Sequence, residues 1–108
     1  MSVLDKDTVD GIALDQGGKC LRLLISDHLD WNNEYTHLVA LQEKINAYIV
    51  FCEGRQYCPV YPDAQIAYAV FEIHFMHEPT TKAWNFLEQV QRQINEMGIT
   101  LECHLPEM

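Results

Sequence analysis

The chain has 108 residues, of which 48% are hydrophobic and 21% charged, enough apolar material for one domain with a buried core and too little charge bias for disorder. Seven Lys and Arg against sixteen Asp and Glu give a formal charge of -9, a surface that repels nucleic-acid phosphates and anionic membranes. No run approaches the roughly 18 apolar residues of a membrane span, Met1 to Asp7 lacks the apolar stretch of a signal peptide, and Cys20, Cys52, Cys58 and Cys103 lack zinc-knuckle spacing; these features predict a cytoplasmic protein with reduced thiols.

Residues 1–7 are expected to form a loose polar tail ahead of a single domain over residues 8–105. The runs Thr8 to Asp15 and Lys19 to Ser26 flank Gln16-Gly17-Gly18, whose glycines accept positive φ, and this predicts a β-hairpin. In the second run Leu21, Leu23 and Ile25 share one face, while Cys20, Arg22, Leu24 and Ser26 share the other. From Trp31 the period changes. Trp31, Tyr35, Leu38, Gln42, Ile45, Ile49 and Cys52, widened by Leu41 and Tyr48, predict an amphipathic helix of about six turns. Asp30 is its expected N-cap, and Gly54 its expected C-terminal glycine.

Arg55 to Gln65 reads as an ordered loop with Tyr57, Pro59, Tyr61 and Pro62. Ala67 to His77 then alternates: Ala69, Phe71, Ile73 and Phe75 on one face, Tyr68, Val70, Glu72, His74 and Met76 on the other. Pro79 ends this strand, Thr80 or Thr81 caps a second helix, and Ala83, Leu87, Val90, Ile94 and Met97 form its stripe up to Gly98. Ile99, Leu101 and Cys103 alternate with Thr100, Glu102 and His104 in a last strand. The order β-β-α-β-α-β predicts an α+β fold, a two-layer sandwich of one four-stranded sheet with both helices on one face. Periodicity leaves the strand order open.

Four segments carry a resemblance. Asp7-Thr8-Val9-Asp10-Gly11-Ile12, Leu24-Ile25-Ser26-Asp27-His28-Leu29-Asp30-Trp31, Leu41-Gln42-Glu43-Lys44-Ile45-Asn46-Ala47-Tyr48 and Tyr61-Pro62-Asp63-Ala64 together resemble a small bacterial family of intracellular proteins of unknown function. The likeness runs from about Asp7 to Leu105. It implies a single α+β domain and brings no cofactor, activity or catalytic residue with it.

Asp27, His28 and Asp30 are the catalytic candidates. They fall at the predicted C-terminal end of the second strand, an edge at which sheets with helical crossovers often build sites, and neighbouring carboxylates and imidazoles tune each other's protonation. The competing account makes Asp30 a cap, Asp27 a turn former and Trp31 an anchor, leaving only His28 without a structural task. Glu72, His74, Glu102 and His104 are the metal candidates. If the last two strands are neighbours, these side chains share the face opposite Phe71 and Leu101, and such donors on adjacent strands suit a divalent cation. Otherwise they form a solvated face of cross-strand polar pairs.

Leu24, Tyr68, Val70 and Met76 add apolar area to that same face, as a contact surface for another protein or for a second copy of the chain. The Tyr57 to Pro62 loop either covers the core edge or closes over a ligand. The sequence holds no G-x-G-x-x-G, phosphate loop, H-E-x-x-H or G-x-S-x-G, and no cofactor is expected. The leading expectation is a non-enzymatic interaction or regulatory domain that binds another protein, or itself as a homodimer, and neither nucleic acid nor membrane. The alternative is a small metal- or ligand-dependent enzyme using Asp27, His28 and Asp30 or the His74/His104 face.

Overall fold

The computed structural model describes residues 2–106. Strands β1 (Gly11–Asp15) and β2 (Cys20–Asp27) pair antiparallel across a single 3-10 turn, Gln16–Gly18. Gly17 and Gly18 take φ of 68° and 89° there, the left-handed region in which a Cβ is strained. The chain then continues through α1 (Glu34–Glu53), β3 (Tyr68–Phe75), α2 (Thr81–Asn95) and β4 (Ile99–His104).

The sheet order is β1-β2-β3-β4, with β2, β3 and β4 mutually parallel. Each crossover advances one strand in the same direction, and crossovers of the usual right hand then stack both helices on one face. The protein is an α+β two-layer sandwich with an open sheet, as the β-β-α-β-α-β pattern predicts. Among the described residues no helix is long and apolar enough to cross a membrane.

One core joins the layers. Leu21, Leu23 and Ile25 of β2, Phe71 and Ile73 of β3 and Ile99 of β4 meet Leu41, Ile45 and Tyr48 of α1 and Leu87 and Ile94 of α2. Each fully buried Leu, Ile or Phe contributes about 1.5–3 kcal/mol. The period-two alternation in the strands produces this result, since it sends every second side chain to the helices. On the outer edge of β4, Gln91 of α2 accepts from the Leu101 N–H at 2.6 Å and donates to the Ile99 carbonyl at 3.1 Å. The side-chain amide thereby occupies part of an edge that would otherwise be free to pair with another strand.

Three details differ from the sequence expectation. Helix α1 starts at Glu34 and its N-cap is Asn33, whose side chain accepts from the Thr36 N–H at 3.3 Å. Asp30 accepts instead from the Asn32 N–H at 3.1 Å, so the carboxylate expected to cap the helix closes a turn ahead of it. At the other end Gly54 has φ -82°, and Arg55 takes the left-handed conformation with φ 53°.

The buried side of α1 is also rotated. It consists of His37, Leu41, Lys44, Ile45 and Tyr48, whereas Tyr35 is 75% exposed and Gln42 is exposed. Two polar residues lie inside because each finds enough partners to replace water.

The N-terminal segment expected as a loose tail contributes to the core as well. Val3 is buried, and its N–H donates to the Ser26 carbonyl at 2.9 Å. Lys44 Nζ donates to the backbone oxygens of Asp5 and Thr8. Tyr57 of the loop after α1 is buried in the core, and Tyr61 packs partly buried against it.

Candidate functional site

Both helices lie on one side of the sheet, so its other face is left uncovered by them. The alternation that fills the core sends Arg22 and Leu24 of β2, Val70, Glu72 and His74 of β3 and Glu102 and His104 of β4 to this open face. The parallel register lines them up in rows: Arg22 beside Val70 and Thr100, Leu24 beside Glu72 and Glu102, Ser26 beside His74 and His104.

Arg22 organises the centre. Its Nε donates to Glu72 Oε2 at 2.7 Å, its Nη2 donates to both oxygens of Glu102 at 2.8 Å, and its Nη1 lies 3.8 Å from Asp15 Oδ2. Three carboxylates therefore surround one guanidinium, and the group keeps a negative excess. The bonds to Glu72 and then Glu102 push the Arg22 guanidinium further up, so it stays charged. Conversely, Arg22 first and His104 second hold the Glu102 carboxyl below its ordinary 4.5.

Beside this array stand two histidines. The His74 and His104 rings stack with centroids 4.4 Å apart and planes 5° from parallel. Glu72 Oε1 lies 3.4 Å from His74 Nε2 and 3.7 Å from His104 Nε2. His104 Nε2 also meets Glu102 Oε1 at 2.6 Å. The structure thus brings together all four residues singled out as metal candidates, because β3 and β4 are neighbours in the register that places Glu72 opposite Glu102 and His74 opposite His104.

The apolar residues of this face do not form one patch. Tyr68 is 41% exposed at one end of β3 and Met76 is 63% exposed just past the other, while Val70 is buried. Leu24 packs against Gly11, where an added Cβ would come 3.1 Å from Leu24 Cβ. On this face a shallow depression of about 360 Å³ is lined by Gly11, Ala13, Arg22, Leu24, Glu72 and His74. Small residues on β1 leave this room.

Asp27, His28 and Asp30 have three different environments. Asp27 is buried, accepts from the Leu29 N–H at 3.1 Å, and holds His37 Nε2 at 2.8 and 2.6 Å through its two oxygens. His37 Nδ1 faces the Asp30 carbonyl oxygen at 2.9 Å, so both ring nitrogens meet oxygen atoms. Trp31 stacks on His37 at 3.6 Å and donates from Nε1 to the His77 carbonyl. His28 is exposed. The Asp30 carboxylate is spent on Asn32.

Residues 1–107 match DUF6572, a family of unknown function. The chain belongs to that family. No curated protein and no solved structure matches it.

The motifs of the resemblance meet one another in the fold. Asp10, from the first, pairs with Lys44 and accepts from the Ser26 N–H at 2.9 Å. Tyr48, from the third, accepts from the Asp10 N–H at 2.9 Å and donates to the Leu24 carbonyl. Asp27 and Trp31, from the second, enclose His37. Tyr61, Pro62, Asp63 and Ala64 line an open cleft of about 820 Å³ together with Gly17, Gly18 and Lys19 of the hairpin turn.

Three of these network residues were missed as such in the sequence: His37, Lys44 and Arg22. The spacing of His37, Leu41, Lys44 and Tyr48 is itself helical, and it marks one face once polar residues are allowed on it. Among the described residues, no buried side-chain nitrogen or oxygen lacks a partner.

All four cysteines are free. Burial pushes the Cys52 and Cys103 thiols up to about 11, and raises that of Cys20 despite Arg22 nearby. A catalytic thiol needs the opposite shift.

Proposed function

We propose that this chain is a non-enzymatic protein-interaction domain whose working surface is the open sheet face and whose partner presents a basic surface. The observation that carries this reading is the centre of that face, where Asp15, Glu72 and Glu102 converge on the single cation Arg22. Their negative excess, on a chain of net charge -9, favours a cationic partner over a second copy of the same acidic chain. The depression beside Glu72 offers a place for a protruding side chain, with Ala13 and Leu24 as apolar floor and Glu72 as charged wall. Tyr68 at the start of β3 and Met76 just past its end add exposed apolar contacts to the sheet.

The catalytic alternative has less support. Asp27 and the Asp30 carboxylate are committed to structural bonds, the thiols of Cys20, Cys52 and Cys103 are raised, and the depression on the face is shallow.

Calorimetric titration with a lysine- and leucine-containing cationic peptide tests the proposal, in buffer with a chelator. Binding should weaken in Glu72→Lys and Glu102→Lys chains and fall with added salt. Equal binding by wild type and both variants would overturn it. Light scattering that shows a stable dimer at micromolar concentration would overturn the choice of a basic partner in favour of a second copy.

A further inference from the structure

We propose that Glu72, His74 and His104 form a binding site for a divalent transition-metal cation of the zinc class. The three residues each offer one donor atom, and these atoms all lie within 4.8 Å of one another. Around a tetrahedral zinc with bonds of about 2.1 Å, neighbouring donors stand about 3.4 Å apart. Glu72 Oε1 already lies at 3.4 Å from His74 Nε2 and 3.7 Å from His104 Nε2. Two stacked parallel rings cannot both hold one ion in their planes, so binding turns the exposed imidazoles out of their stack until both Nε2 lone pairs meet it.

The surroundings orient the donors. Arg22 binds Glu72 through Oε2 and leaves Oε1 turned toward the histidines. The two exposed rings stand 4.4 Å apart with both Nε2 atoms on the side of the same carboxylate. The bond from Arg22 is an outer contact of the kind that fixes a ligand in place and raises affinity. His104 Nε2 is now bonded to Glu102 Oε1, and binding a cation frees His104 from that bond and releases its proton. Glu102 keeps its two bonds from Arg22 when that happens.

Two imidazoles and one carboxylate select the kind of ion. Calcium and magnesium require mostly oxygen donors, whereas zinc accepts nitrogen and oxygen together. Three protein donors leave a coordination position for water or for a side chain of a bound protein. The site needs nothing from the partner proposed above, so either reading can fail alone.

Calorimetric titration of the full chain with zinc chloride tests the site, beside thermal unfolding with and without the metal. Wild type should bind one zinc and unfold at a higher temperature in its presence. His74→Ala and His104→Ala should each lower zinc affinity by about a hundredfold or more, beyond the loss expected for residues behind the ligands. His28→Ala should bind as wild type does. His74 and His104 are 47% and 41% exposed in their side chains, so without metal their variants should unfold within a few degrees of wild type, which separates lost binding from lost folding. Absence of zinc binding by wild type, undiminished binding by the two variants, or equal binding of magnesium would each overturn the proposal.

Discussion

Lys44 Nζ lies 3.0 Å from Asp10 Oδ1, with neither side chain more than 1% exposed. The pair ties the segment before β1 to the middle of α1, and backbone oxygens of Asp5 and Thr8 share the same ammonium. Replacing Lys44 by Met keeps the volume and leaves the Asp10 carboxylate buried without its cation. Loss of one partner of such a pair costs about 3–5 kcal/mol. Urea unfolding of Lys44→Met should show a loss of that order, and a loss under about 1 kcal/mol would mean that the ammonium does not hold the segment.

His37 and Asp27 form a second buried pair, and Trp31 lies across the ring. His37→Ala should be strongly destabilising, again by about 3–5 kcal/mol, since the Asp27 carboxylate then stays buried with only the Leu29 N–H. Asp27→Asn should cost less, because an amide oxygen still accepts from the ring. Equal effects from the two substitutions would contradict this account.

The Arg22 array makes a small part of stability depend on acidity. Glu102 has its folded value depressed below the ordinary 4.5 by Arg22 and then His104. Its contribution is therefore present above 4.5 and is lost as pH falls below 4.5 through the lower folded value. With the side chain 41% exposed, solvent screening keeps the contribution modest. Glu102→Gln should unfold at a lower temperature than wild type near neutral pH, and the two curves should converge in acid. A gap that widens in acid would reverse the sign of the argument.

Thiol labelling gives a fourth check. With values near 11 against an ordinary 9.0, Cys52 and Cys103 hold about a hundredfold less thiolate than an ordinary cysteine at neutral pH. Mass spectrometry after brief iodoacetamide treatment of the native chain should find both residues largely unmodified, with full labelling once urea is added. Rapid native labelling of Cys103 would show that β4 opens away from α2.

Much of the fold follows from periodicity alone. The alternation of Ala69, Phe71, Ile73 and Phe75, and the spacing of Ala83, Leu87, Val90 and Ile94, each depend on local geometry and read directly from the chain. The rotation of α1 was hidden because its buried side includes His37 and Lys44, which a hydrophobic criterion assigns to solvent. Their burial depends on Asp27 and Asp10, ten and thirty-four residues away, so only the tertiary structure reveals it. Asn33 displaced Asp30 as cap for the same reason: the Asp30 carbonyl meets His37 and its carboxylate meets Asn32, which holds residue 30 in a turn.

The open face divides in the same way. That Glu72 and His74 share a face, and Glu102 and His104 another, is written in the alternation of two strands. That the two faces are one depends on β3 lying beside β4, which the sequence leaves open. Arg22 escaped notice because its importance comes from three carboxylates on β1, β3 and β4, none of them near it along the chain except Asp15.

The most direct test of the open face as the working surface is a nitrogen-edited NMR titration of the chain with the cationic peptide, in chelator and low salt. Amide shifts confined to Ala13, Arg22, Leu24, Val70, Glu72 and Glu102 are the predicted result. Shifts spread over the outer surfaces of α1 and α2, around Glu43 and Glu88, with none on these strands, would contradict it.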